Sequence, residues 1–275
     1  MNFIDYRTVV DAIDYEKAVD IIIGFIRDNV LGASAKGVVI GVSGGLDSTV
    51  TSILAVKALG RENVLGVIMP SRYTPREDID DALYIVNSLG IRYLYIDIDP
   101  ILDSYIKNLP GFDHSNRLAT GNLMPRIRMA ILYYYANLYN YLVLGTGDKS
   151  EILLGYFTKY GDGGVDLLPI GDLYKVQVRR LAEIMGFEKI ARKPSSPRLW
   201  PGHRVEEELG ASYEEIDPIL YALFDLRIPI EKAYQIFRRD LVDMVIRRYR
   251  QSEHKRRTPP IADLSSAKKM VREAL

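Results

Sequence analysis

The feature that most limits the fold is an apolar run that stops at a glycine pair. Gly37-Val38-Val39-Ile40-Gly41-Val42 has no polar face, the pattern of a strand buried on both sides of a parallel sheet. It breaks at Ser43-Gly44-Gly45-Leu46-Asp47-Ser48, and helical spacing takes over across residues 47–59. Strand, tight loop and helix in that order make half of a βαβ unit. The alternation continues, with strands expected at 64–69, 92–98 and 141–144 and helices at 15–30, 77–89 and 122–139. The expected fold class is α/β, a doubly wound parallel sheet with helices on both faces. After residue 168 the pattern turns mainly helical, at 173–185, 213–224, 230–237 and 240–251. The expectation is one domain over residues 1–275, with a nucleotide-binding core at about 15–170 and a helical C-terminal part at about 171–275. Residues 193–202 (KPSSPRLWPG) read as a long loop between helices.

Composition removes several function classes. The chain has 275 residues, 48% hydrophobic and 26% charged, enough for a sizeable core. Lys+Arg and Asp+Glu are 36 each. Zero net charge speaks against a general nucleic-acid binder, whose affinity needs a basic excess. The apolar runs are too short for a membrane helix, and the N-terminal MNFIDYRTVV lacks the apolar stretch of a signal peptide. There is no cysteine, so disulfides, Cys-bound zinc, iron–sulfur clusters and thiolate nucleophiles are excluded. The expected location is the cytoplasm.

In such sheets ligands bind beyond the carboxyl ends of the strands, where the loops at Ser43, Pro70 and Gly145 lie. The glycines let backbone approach an anion, and the first amides of the following helix point at it. Ser43 and Ser48 add hydroxyl donors. Asp47 repels a phosphate unless a bound Mg²⁺ bridges the two. The bland alternative is a Gly-Gly turn with Asp47 capping a helix. No Gly-Lys-Ser/Thr follows, so the loop is not a Walker A.

The loop resembles the SGGxDS signature of the N-type ATP pyrophosphatases, which split ATP into AMP and pyrophosphate while adenylating a substrate oxygen. The rest of the chain resembles the NAD synthetases within that group. The motifs are Gly145-Thr146-Gly147-Asp148-Lys149-Ser150-Glu151, residues 155–166 (GYFTKYGDGGVD), residues 169–175 (PIGDLYK), Leu199-Trp200-Pro201-Gly202, residues 206–210 (EEELG) and His254-Lys255-Arg256-Arg257. The resemblance runs over about 15–260. The lack of cysteine sets aside the tRNA thiolation enzymes, deazaguanine nitrile synthase and any built-in glutaminase. The implied reaction joins ammonia to nicotinic acid adenine dinucleotide (deamido-NAD) with ATP, giving NAD, AMP and pyrophosphate through an acyl-adenylate. Alternatives are another amidating member, such as a GMP synthetase-like subunit, and a catalytically dead nucleotide sensor.

The resemblance also implies roles. Gly41, Val42, Ser43, Gly44, Gly45, Leu46, Asp47 and Ser48 would bind ATP, with Thr146 and Lys175. Ser195 or Ser196 would join them, the register being left open by one extra residue. Asp47 and Lys175 would be catalytic, and Asp47 and Glu151 would share Mg²⁺. Arg126, Lys159, Asp166, His254 and Lys255 would hold deamido-NAD, with Tyr156 and Phe157 available to close on the nicotinate ring. Pro125 departs from the family pattern, but with Asn122 as N-cap it falls in the first turn, where a missing N–H costs nothing. The basic run 247–257 (RRYRQSEHKRR) is expected to serve the diphosphate rather than a nucleic acid. Among 19 tyrosines, Tyr133, Tyr134, Tyr135, Tyr139 and Tyr141 crowd one helix and its end, which suggests a homodimer interface. The expected partners are thus ATP, deamido-NAD, ammonia and a second copy of the chain, with no nucleic acid and no membrane.

Overall fold

A computed structural model describes residues 4–267. Its strands β1 (Gly37–Gly41), β2 (Val64–Ile68), β3 (Arg92–Tyr95) and β4 (Tyr141–Leu144) form one parallel sheet in the order β3-β2-β1-β4. Side chains alternate across a strand, so β1 feeds two cores. Val38 and Ile40 pack against Ile22 and Ile26 of α2 (Tyr15–Gly32), Val50 and Leu54 of α3 (Leu46–Leu59) and Ile85 of α4 (Arg76–Leu89). Val39 faces the opposite layer, with Leu102 of α5 (Asp99–Asn108) and Met124, Ile127 and Leu132 of α7 (Leu123–Tyr139), which follows the short α6 (Arg117–Gly121). The doubly wound sheet is therefore observed as expected.

The C-terminal part is helical. After α8 (Lys149–Leu154) come α9 (Lys175–Ile184), α10 (Glu188–Ala191), α11 (Val205–Leu209), α12 (Tyr213–Leu220), α13 (Ile230–Ile236), α14 (Arg239–Gln251) and α15 (Glu253–Arg256). Leu154, Tyr213, Ile216, Leu220, Val242 and Val245 form a third core, to which Val9 of α1 (Tyr6–Asp11) belongs. The N-terminal helix thus packs with C-terminal ones.

The third strand and the segment after it depart from the pattern. β3 ends at Tyr95 instead of running to residue 98. Ile96 N still donates to Ile68 O (2.9 Å) and Ile98 N to Pro70 O (3.0 Å), so the pairing continues irregularly while the chain turns into α5. The helix α5 was not expected; Asp99 and Pro100 open it, where a proline lacks no needed N–H.

The loops after β1, β2 and β4 all leave the same edge of the sheet. Gly44 has φ +74°, and a Cβ there would lie 2.1 Å from the Asp78 carbonyl oxygen at the start of α4. Both the left-handed backbone and the close approach demand glycine. Gly44→Ala is expected to destabilise the fold by about 1–3 kcal/mol or more, seen as a lower Tm; an unchanged Tm would contradict this packing.

Candidate active site

At that edge lies a cavity of about 590 Å³. The glycine loop forms one wall through Gly41, Val42, Ser43, Gly45, Leu46 and Asp47; Thr146 and Glu151 come from the end of β4 and from α8. Ser195 and Ser196 form part of the opposite wall, and Lys255 closes it from the C-terminal helices. Gly44 and Ser48 sit behind the wall. Helix α3 opens at Gly45 with no side-chain cap, so its first amides remain available to an anion. Ser48 Oγ lies 3.0 Å from Ser43 Oγ and donates to Gly45 O (3.2 Å), while Gly45 N donates weakly to Ser43 Oγ (3.3 Å). The hydroxyls thus hold the loop in shape.

Behind the loop stands Lys175, the first residue of α9, with no exposed side-chain surface. Its Nζ is 2.8 Å from Asp47 Oδ2, 3.0 Å from Glu151 Oε1 and 2.9 Å from Asp148 Oδ2. The expected trio Asp47, Glu151 and Lys175 is therefore brought together. The sequence reading missed the third carboxylate. Asp148 is fully buried and caps α8 by accepting Glu151 N (2.8 Å). Burial, with the charge of Asp47, pushes Asp148 up to about 6 despite Lys175. Burial and the neighbouring Asp148 and Asp47 charges likewise hold Glu151 well above the ordinary glutamate range. Burial pulls the Lys175 ammonium down, but the three carboxylates outweigh it and raise it well above the usual lysine value.

The lysine backbone is fixed from behind. Lys175 N donates to Ser150 Oγ (2.9 Å), which donates to Asp217 Oδ1 (2.6 Å), and Asp217 Oδ2 accepts Val176 N (2.9 Å). Asp217 on α12 therefore caps α9 from a distance and sets where Lys175 starts.

These residues fit Mg²⁺ in one particular way. Asp47 Oδ1 and Asp148 Oδ2 are buried without a hydrogen-bond partner; the latter is close to Nζ but poorly aligned with it. Among the described residues no three acidic or histidine side chains are arranged to cage an ion by themselves. Mg²⁺ often takes one or two carboxylates and completes its shell with phosphate oxygens and water, and Asp47 and Glu151 on the cavity wall offer that partial set.

The residues implied for the dinucleotide divide. Arg126 Nη2 donates to Lys159 O (3.4 Å) and Lys159 Nζ to His254 O (2.7 Å), so these three meet outside the cavity wall. Lys255 lines the cavity and donates to the carbonyls of Gly155 and Phe157, both at 2.7 Å. Asp166 stands apart, with its carboxylate accepting Tyr133 OH (3.0 Å) and Val143 N (2.8 Å). Arg128, two residues beyond Arg126, faces the cavity, where Nε donates to Met69 O (3.0 Å). Asn122 is the N-cap of α7 and Pro125 lies in its first turn, as the pattern suggested. The Asn122 side chain makes no cap bond; its Oδ1 accepts Thr158 Oγ1 (2.6 Å).

A polar cluster on the far wall was also missed. Tyr156 OH donates to Glu208 Oε2 (2.7 Å) and lies 3.1 Å from His203 Nε2, which is 2.9 Å from the same carboxylate. Trp200 stacks on His203 at 3.5 Å between ring centroids. The motif strings named Trp200, Tyr156 and Glu208, but only the fold shows that they meet.

The sheet, its glycine loop and the surrounding helices are those of the adenine-nucleotide α-hydrolase-like α/β enzymes. Residues 18–259 match the family described as NAD synthase, and the chain belongs to that family. It is 58% identical to the NH(3)-dependent NAD(+) synthetase of Pyrobaculum aerophilum, over 96% of this chain and 98% of that one. Among solved structures, the NMN synthetase from Francisella tularensis superposes with a TM-score of 0.80 at 32% identity, covering 91% of this chain and 99% of that one. The NH3-dependent NAD synthetase from Campylobacter jejuni superposes at 0.77 and 33%, covering 91% and 100%.

Proposed function

We propose that the glycine loop binds ATP, that deamido-NAD lies against the outer rim, and that ammonia is joined to the nicotinate carboxyl to give NAD. The chain is an ATP-dependent ligase of its family, forming a C–N bond. The observation that carries the site assignment is the buried Lys175 held by Asp47, Asp148 and Glu151 beside the open start of α3. A carboxylate is a poor electrophile, so it must first be activated. Its oxygen attacks the α-phosphorus, and the bond to the bridging oxygen breaks as pyrophosphate departs with the electron pair. Ammonia then attacks the acyl carbon, AMP leaves, and the surplus proton passes to solvent.

The chain supplies position and charge. The first amides of α3, with Ser43 and Ser48, hold the leaving pyrophosphate. Asp47 and Glu151 would hold Mg²⁺, and the Lys175 ammonium beside them would add positive charge next to the phosphates. When bound, the metal neutralises charge on the leaving group. Thr146 contacts the nucleotide, and Ser195 is the better second contact. Ser196 donates its hydroxyl to the His203 carbonyl, while the Ser195 hydroxyl bonds to no protein group among the described residues. Tyr156, Phe157 and Trp200 shield the acyl-adenylate from water.

The dinucleotide positions are Arg126, Lys159, Asp166, His254 and Lys255. Several lie on the outside, which suits a site completed by a second copy. Tyr134 on α7 is 62% exposed and Leu138 56%, and a homodimer would cover them. Among the described residues no helix is long and apolar enough to cross a membrane, and the cytoplasm is the proposed location. Alanine at Arg126, Lys159 or Lys255 is expected to raise the KM for deamido-NAD more than that for ATP; the reverse order would reassign these groups. The NMN synthetase neighbour makes nicotinic acid mononucleotide the competing substrate. A higher kcat/KM with the mononucleotide than with deamido-NAD would overturn the dinucleotide reading.

A further inference from the structure

Lys193, between α10 and the 194–203 loop, is 13% exposed in its side chain. Its Nζ donates to Asp78 Oδ1 (2.8 Å) and Asp81 Oδ2 (2.6 Å) on α4, and to the Gly44 carbonyl oxygen (3.2 Å). Asp78 uses its other oxygen for Arg198 Nε (2.8 Å) within the loop. A lysine needed only to neutralise α4 would not have to reach into the glycine loop. A trans peptide points its C=O and the following N–H to opposite sides. With Gly44 O drawn back toward α4, Gly45 N–H is turned the other way, and Gly45 lines the cavity whereas Gly44 does not. That N–H now makes only the long bond to Ser43 Oγ, easily exchanged for a phosphate oxygen. Lys193 itself also lines the cavity, and Ser195 and Ser196 follow it in sequence after Pro194.

We propose that Lys193 is a positioning residue for ATP. It sets the Gly44–Gly45 peptide so that its N–H meets phosphate, and through Asp78 and Arg198 it fixes the distance between the glycine loop and the serine-bearing loop. It need not touch the nucleotide. The inference rests on the reading that ATP occupies this loop.

Lys193→Met, Lys193→Arg and the double variant Lys193→Met/Asp81→Asn test it, the last removing one buried carboxylate along with the lysine so that the protein still folds, while Asp78 keeps Arg198. The readouts are Mg²⁺·ATP binding by calorimetry, KM for ATP and for deamido-NAD, and Tm. Lys193→Met and the double variant are expected to weaken ATP about tenfold or more, the order of a lost charge-assisted hydrogen bond, with KM for deamido-NAD within about twofold. Lys193→Arg should recover part of the loss. Equal rises in both KM values, or a lower Tm with unchanged ATP affinity, would overturn the positioning role. A wild-type protein that does not bind Mg²⁺·ATP would instead overturn the placement of ATP on the loop, and this inference with it.

Discussion

Asp47→Asn is expected to keep the fold and lose Mg²⁺-dependent turnover by about 10²- to 10³-fold, the scale of removing one strong electrostatic contact to a developing charge. The side chain keeps its shape and can still accept from Lys175 Nζ, which lies 2.8 Å from Oδ2. What it loses is the charge, together with Oδ1 as an unpartnered buried oxygen. An amide in its place contributes no charge to a cation. Stability should not suffer, because three carboxylates crowd one ammonium and removing one relieves their repulsion. Turnover titrated against Mg²⁺, with Tm measured alongside, separates the two effects. Near-normal rates at low Mg²⁺ would dismiss the metal assignment; a collapsed Tm would mean that Asp47 is chiefly structural.

The second large effect concerns pH. Only NH₃ carries the lone pair that attacks the acyl-adenylate. Below the pKa of ammonium its share of total ammonia rises about tenfold per pH unit. At fixed, subsaturating ammonium the rate should therefore climb steeply from pH 7 toward 9, until a protein group or stability intervenes. Lys175 does not limit this climb, since its carboxylates hold it protonated to well above the ordinary lysine value against the pull of burial. The profile should flatten when ammonium is saturating. A rate that is flat in pH at subsaturating ammonium would mean that NH₄⁺ itself is bound and deprotonated by the protein.

How far the sequence led depended on whether a residue acts locally. β1 and the glycine loop were legible because an unbroken apolar run needs burial on both faces and only glycine suits Gly44. Asp47, Glu151 and Lys175 were found through motif strings, and the fold brings them within 3.0 Å of a common point. Asp148 lies within such a string, where nothing local marks it. Its part depends on α9 folding back over α8, which no local pattern records. Lys193 stayed hidden for the same reason, as its partners lie on α4 and in the glycine loop. Asp166 is a different case: its part toward a ribose comes from a motif string alone, and only the fold shows that its carboxylate also accepts Tyr133 OH and Val143 N. Helix α5 escaped because its exposed Ile101 and Tyr105, with the exposed Leu109 just past its end, blur the apolar face that marks a helix.

The account is tested most directly by product stoichiometry. The purified chain would be given deamido-NAD, Mg²⁺·ATP and either ammonium chloride or ammonia-free glutamine, and NAD, AMP and pyrophosphate would be measured together. With ammonium, the three products should appear in equal amounts. With glutamine alone there should be no NAD, because a glutaminase works through a cysteine thioester and this chain has no cysteine. Formation of ADP and phosphate in place of AMP and pyrophosphate, or NAD made from glutamine by the chain on its own, would contradict the account.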